Sequence, residues 1–61
     1  MIGEKIRTLR KSQKLSQEKL GQKIGVAKSH ISEWETGKII PLSTTLKKIA
    51  DALGCSVNDL I

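Results

Sequence analysis

Residues Gln17 to Gly37 read QEKLGQKIGVAKSHISEWETG, and the spacing of small and apolar side chains in this stretch decides the fold. Leu20 and Ile24 lie four apart on one face of a helix that Gly25 stops, while Val26, Ile31 and Trp34 supply the apolar face of a second helix. Gly21 is the telling residue. Glycine is costly inside a helix, but two helices crossing at about 90–120° over a turn of about 3–4 residues need a position with almost no side chain where their backbones meet. Gly25 has a different task, because the residue just past a helix end often takes positive φ, which glycine adopts without penalty.

The same periodic logic predicts helices on either side. Ile2, Ile6 and Leu9 predict a first helix from about Ile2 to Gln13, apolar stripe inward, with Lys5, Arg7, Lys11 and Lys14 on other faces. Ser16 suits the N-cap of the second helix, and Glu18 sits at the positive end of its dipole. Lys19 stands where a capping box would want Glu, so that cap stays simple. The third helix is expected from about Lys28 to Glu35, ending at Gly37, and Lys38 to Leu42 form a loop containing the only proline, Pro41. Leu46, Ile49, Ala50 and Leu53 match i, i+3, i+4 and i+7 in a fourth helix closed by Gly54. Ser56, with Asp59 three residues on, opens a last helical turn carrying Val57, Leu60 and Ile61. The expected fold class is all-α: a compact bundle of five short helices in one domain, residues 1–61, with no strand, repeat or linker.

Composition limits the function. A chain of 61 residues is near the lower limit for a core that folds without disulfides or metal, and it leaves little room for a deep substrate pocket. The net charge of +5 and pI near 9.7 suggest an acidic partner, either nucleic acid or an anionic membrane surface. Charge alone does not choose, but the apolar residues are distributed for a multi-helix core and not for one long amphipathic face, which argues against the membrane. Cys55 is the single cysteine, so no internal disulfide framework is possible; it is expected to pack as a small apolar residue in a reducing, cytoplasmic setting. The stretch MIGEKIRTLRKS lacks the apolar run of a signal peptide, and no segment approaches a membrane span in length. With no Tyr, two Asp and no nucleophile–base spacing, no catalytic residue and no cofactor is expected. His30 has no second His or Cys at ligand spacing, so it reads as a surface imidazole and no metal site is expected.

The outward face of the third helix carries the candidate chemistry. If Ala27, Ile31 and Trp34 turn to the core, a rotation of about 100° per residue leaves Ser29, Ser32, Glu33 and Thr36 pointing away, with Lys28 at the flank. Such a row of hydrogen-bonding side chains suits the major groove of B-DNA, which admits a helix and shows a distinct donor and acceptor pattern for each base pair. Lys28 fits guanine O6/N7 or a phosphate. Glu33 has two readings: an acceptor for cytosine N4–H, or a solvated acid near His30. Gln17 can donate its amide beside the positive N-terminal end of the second helix, and Thr36 and Lys38 bracket the far end of the third. Lys23, Lys38 and the lysines of the first helix each read equally as a solvated face. Arg10 and Glu35 flank inward stripes and suit a structural ion pair beneath this surface, while Trp34 shares a face with Ile31 and is expected in the core.

These residues resemble the phage Cro and repressor type of helix-turn-helix domain, XRE-like and lambda-repressor-like, along essentially the whole chain. The matching text is IRTLRKSQKLSQEKLGQKIGVAKSHISEWETGK followed by LKKIADALGCSVNDLI, with the helix-turn-helix unit at about residues 17–36. The resemblance implies that the third helix enters the major groove of operator DNA. It implies base-reading roles for Lys28, Ser29, Ser32 and Glu33, backbone roles for Gln17, Thr36 and Lys38, and a buried pair between Arg10 and Glu35. Family members commonly pair through the C-terminal end of the domain, which makes Val57, Leu60 and Ile61 the candidate dimer contacts. Three departures stand out. Ala27 occupies a cap position where relatives often have Ser or Thr, PLSTTL leaves the cap of the fourth helix open among Ser43, Thr44 and Thr45, and Ile39 and Ile40 replace loop positions that are often basic.

The expectation is therefore a transcriptional regulator, in the sense of a repressor, that binds a double-stranded operator as a homodimer in a prokaryotic or phage-infected cytoplasm, at the nucleoid. Two half-sites about 34–36 Å apart follow from placing both reading helices on one side of the duplex. In this reading Lys38→Ala weakens binding to all sequences alike, while Glu33→Gln or Ser29→Ala changes the preferred base. The alternative is a protein-interaction module, an antitoxin or adaptor, served by Ile39, Ile40 and the apolar C-terminus.

Overall fold

The computed structural model describes all 61 residues, Met1–Ile61, as four α-helices and one 3-10 turn: α1 at Ile2–Ser12, α2 at Gln17–Ile24, α3 at Lys28–Thr36, α4 at Ser43–Leu53, and the turn at Val57–Asp59. There is no strand. The expected fifth helix is the one element that differs. The Asp59 N–H donates to the Ser56 carbonyl and the Leu60 N–H to the Val57 carbonyl, both three residues back, so the segment winds as a single tight 3-10 turn. Asp59 Oδ2 accepts the Ser56 N–H at 3.0 Å and starts that turn as the sequence predicted.

Nine side chains form the core: Ile6, Leu20, Ile31, Trp34, Leu46, Ile49, Ala50, Leu53 and Leu60. The α4 stripe is the predicted one, and Trp34 lies inside as expected. Cys55 packs half-buried against this core, where desolvation, with Asp59 nearby, pushes its thiol pKa up and keeps it protonated. Leu60 is fully buried. It was expected to face a dimer partner, but closing the lower end of the core removes it from water, which contributes about 1.5–3 kcal/mol, and leaves only the half-buried Val57 and exposed Ile61 at that end.

The inward stripe of α1 is also shifted from its predicted centre. Gly3, Ile6 and Arg10 are the buried residues, with Ile2 and Leu9 half-buried beside them. The reason is the close approach of α1 to the end of α3. A Cβ on Gly3 would stand 2.6 Å from the Glu35 carbonyl oxygen and would also meet that of Trp34. Gly21 does the same between α2 and the turn into α3, where a Cβ would lie 2.5 Å from the Val26 carbonyl oxygen. Each glycine lets one helix press its backbone against α3 or its entry.

Ser16 caps α2 by accepting the Lys19 N–H at 3.0 Å, and Gly25, Gly37 and Gly54 end α2, α3 and α4 in the left-handed region. The end of α1 departs from this pattern: Lys14, at φ 57°, is the only non-glycine residue there. The Leu15 N–H donates to the Arg10 carbonyl at 3.1 Å and holds that turn. Helix α4 begins without any of the three candidate caps, since Leu42 takes the N-cap position and supplies no side-chain bond.

Candidate nucleic-acid interface

The outer face of α3 is polar and reaches solvent, but unevenly. Lys28, Ser29, His30 and Thr36 are exposed, whereas Ser32 and Glu33 are half-buried. Ala27 was expected to turn toward the core and does not: it is the extended N-cap residue, φ −74° and ψ 154°, so the helical rotation does not yet apply to it, and it is exposed. Val26, one residue earlier, packs against the core instead. No side chain caps α3 at this end. The His30 ring rests tilted over Trp34, centroids 6.3 Å apart, at the edge of the face.

Behind the face lies the ion pair. Arg10 and Glu35 are both 7% exposed, with Arg10 Nε donating to Glu35 Oε2 at 2.6 Å and its second N–H group to Oε1 at 3.0 Å. A third guanidinium nitrogen donates to the Leu15 carbonyl at 2.7 Å. The hydrogen bond to Glu35 raises the Arg10 pKa above its ordinary value, outweighing desolvation, so the guanidinium stays charged. The bidentate geometry ties α1 to α3 and fixes the rotation of α3 about its own axis.

Gln17 joins this network, which the sequence did not reveal. Its Nε2 donates to Glu35 Oε1 at 3.1 Å, so the residue at the start of α2 is held by the end of α3. One of its two amide hydrogens is committed there and the other remains for an outside acceptor. The Thr36 hydroxyl donates to its own Glu33 carbonyl at 3.3 Å, a back-bond it must release to donate elsewhere. Lys38, exposed beyond the end of α3, places its Nζ 3.9 Å from Glu33 Oε2. Helical spacing therefore puts Lys28, Ser29, Ser32, Glu33 and Thr36 along the side of α3 away from Ile31 and Trp34, with Lys38 paired to Glu33 and Gln17 bonded to the buried Glu35 that Arg10 also holds. Gly3 is the positioning residue that sequence reasoning missed; its signal was a glycine three residues before Ile6, on the inward face of an amphipathic helix. No helix is long and apolar enough to cross a membrane.

Comparison with known proteins agrees with this geometry. The family model described as Helix-turn-helix matches residues 6–60. Repressor protein C2 of Salmonella phage P22 is 38% identical over 61 residues, all of this chain and 28% of the relative. The immunity repressor of Bacillus phage phi105 is 32% identical over 60 residues, 98% of this chain and 42% of the relative. The chain thus spans less than half the length of these relatives. A crystal structure of the P22 c2 repressor in complex with a synthetic operator superposes with a TM-score of 0.93 at 38% identity, covering 100% of this chain and 92% of that one. The chain belongs to the XRE-type helix-turn-helix family of the phage repressors.

Proposed function

We propose that residues 1–61 act as one sequence-specific DNA-binding unit of a transcriptional regulator, a repressor that occupies a double-stranded operator with α3 in the major groove. The activity is binding without catalysis, in the cytoplasm of a prokaryotic or phage-infected cell. The observation that carries this reading is the exposed polar face of α3, held from behind by a satisfied ion pair, in a fold that superposes on a repressor described with its operator. In this reading Lys28, Ser29, Ser32 and Glu33 meet base edges, and Gln17, Thr36 and Lys38 meet the sugar-phosphate backbone. Two copies bind two half-sites about 34–36 Å apart, with Val57 and Ile61 as the contacts open to a partner.

Selection of bound duplexes from a random pool tests this directly. The expected outcome is a pseudo-palindromic site, with affinity that falls steeply as salt rises. Failure to bind any duplex in dilute buffer would reject the reading. A second reading has one observation in its favour: Ile39, Ile40 and Leu42, in the loop after α3, are 46%, 65% and 74% exposed. A protein-interaction module built on that loop would bind its partner with little dependence on salt.

A further inference from the structure

The turn after α3 joins two opposite charges that helix geometry keeps apart. Residues five apart, such as Glu33 and Lys38, are not neighbours on a helix surface. Here Gly37, at φ 82°, reverses the chain, and the Ile39 N–H donates to the Glu33 carbonyl at 3.2 Å while the Thr36 hydroxyl donates to the same oxygen. Lys38 follows the turn, and its ammonium stands 3.9 Å from Glu33 Oε2, an ion pair at a distance too long for a hydrogen bond. The carboxylate is the more enclosed partner, its side chain 31% exposed, and the ammonium the outer one, at 74%.

This arrangement answers a physical difficulty in the face itself. An acid brought into a groove lined by phosphates is repelled unless a cation accompanies it and a donor meets it. Lys38 places a positive charge 3.9 Å from the Glu33 carboxylate, and its three N–H donors remain available to a phosphate. A carboxylate only accepts, and cytosine N4–H is the base-edge donor that suits it in the major groove. We propose that Glu33 and Lys38 form one recognition unit, resting on the DNA-binding reading above, in which Lys38 neutralises the carboxylate so that it accepts from cytosine N4–H. Lys38 is then a specificity-determining residue as well as a backbone contact, and its loss does not weaken all sequences alike.

The test uses the full chain and the duplex selected from the random pool, together with variants of that duplex carrying each other base pair at every position. Binding is measured for wild type, Lys38→Met, Lys38→Arg, Glu33→Gln and the double variant Glu33→Gln/Lys38→Met, with circular dichroism to verify that each is folded. Wild type is expected to discriminate about tenfold at one C·G pair in each half-site. Glu33→Gln and Lys38→Met each abolish most of that preference, and Lys38→Arg retains it. Lys38→Met also costs less affinity in the Glu33→Gln background than alone. A Lys38→Met variant that weakens every duplex equally, with the C·G preference intact, overturns the unit and leaves Lys38 a simple phosphate contact. Equal losses in the two backgrounds overturn it as well. Specific binding without preference at any C·G pair rejects this unit alone, whereas absence of all duplex binding rejects the DNA-binding reading itself.

Discussion

The two ends of α3 are built on opposite plans. At the C-terminal end Glu35 is buried and bonded by Arg10 and Gln17, Gly3 lets α1 press against the carbonyls of Trp34 and Glu35, and Gly37 closes the helix. At the N-terminal end Ala27 provides no cap, and Ala27, Lys28, Ser29 and His30 all face solvent. Behind that end lie the close crossing at Gly21 and the packing of Val26 and Ile31 on the core. An end whose polar groups are satisfied internally sets position and rotation, and an end left open keeps its donors free for an external acceptor. The helix is anchored at one end and presented at the other.

The largest effect is expected at the anchored end. Arg10→Ala or Glu35→Ala strands a buried charge and is expected to cost about 3–5 kcal/mol, against a total of about 3–9 kcal/mol for a 61-residue chain. Either variant should be largely unfolded, or close to it, in a denaturant titration followed by circular dichroism. A loss below about 1 kcal/mol, the range of an exposed pair, would remove the contrast between the two ends.

The two glycine contacts rank next. Gly21→Ala drives a methyl into the Val26 carbonyl between two fixed elements and is expected to cost about 2–3 kcal/mol, after allowing for the better helix propensity of alanine. Gly3→Ala meets two carbonyls, but the first turn of α1 can tilt away, so about 1–2 kcal/mol is expected. The same titration reads both, and the reverse order would mean that α1 is clamped as firmly as α2.

The smallest effect is a gain. Ala27→Ser supplies the missing cap and should raise stability by about 1 kcal/mol, seen as a higher denaturation midpoint with unchanged m-value. No gain would mean that the open end is already satisfied in another way.

Much of this molecule is legible in local pattern. The α4 stripe, the Ser16 cap, the left-handed glycines, the place of Trp34 and the need for a small residue at Gly21 follow from helix periodicity and backbone sterics, which act over a few residues. The Arg10–Glu35 pair was legible because each residue flanks an inward stripe, and an arginine or glutamate beside a core needs a partner. The face of α3 was legible in outline, but its depth was not: Ser32 and Glu33 are half-enclosed and Ala27 stands outside the helical rotation.

What local pattern left undetermined depends on where distant elements meet. Leu60 and Ile61 are equivalent aliphatics in sequence, yet one fills the core and the other is 58% exposed, because the 3-10 turn points only one of them inward. Lys14 takes a left-handed conformation usually left to glycine, held by the Leu15 N–H to Arg10 bond and by the docking of α2. Gln17 reaches Glu35, and Lys38 pairs with Glu33, only once α2 and the turn after α3 are set in place. The chain thus specifies its helices and their apolar sides through short-range sterics and hydrogen bonding, whereas partners across the bundle come from the crossing geometry, which sums contacts from all four helices at once.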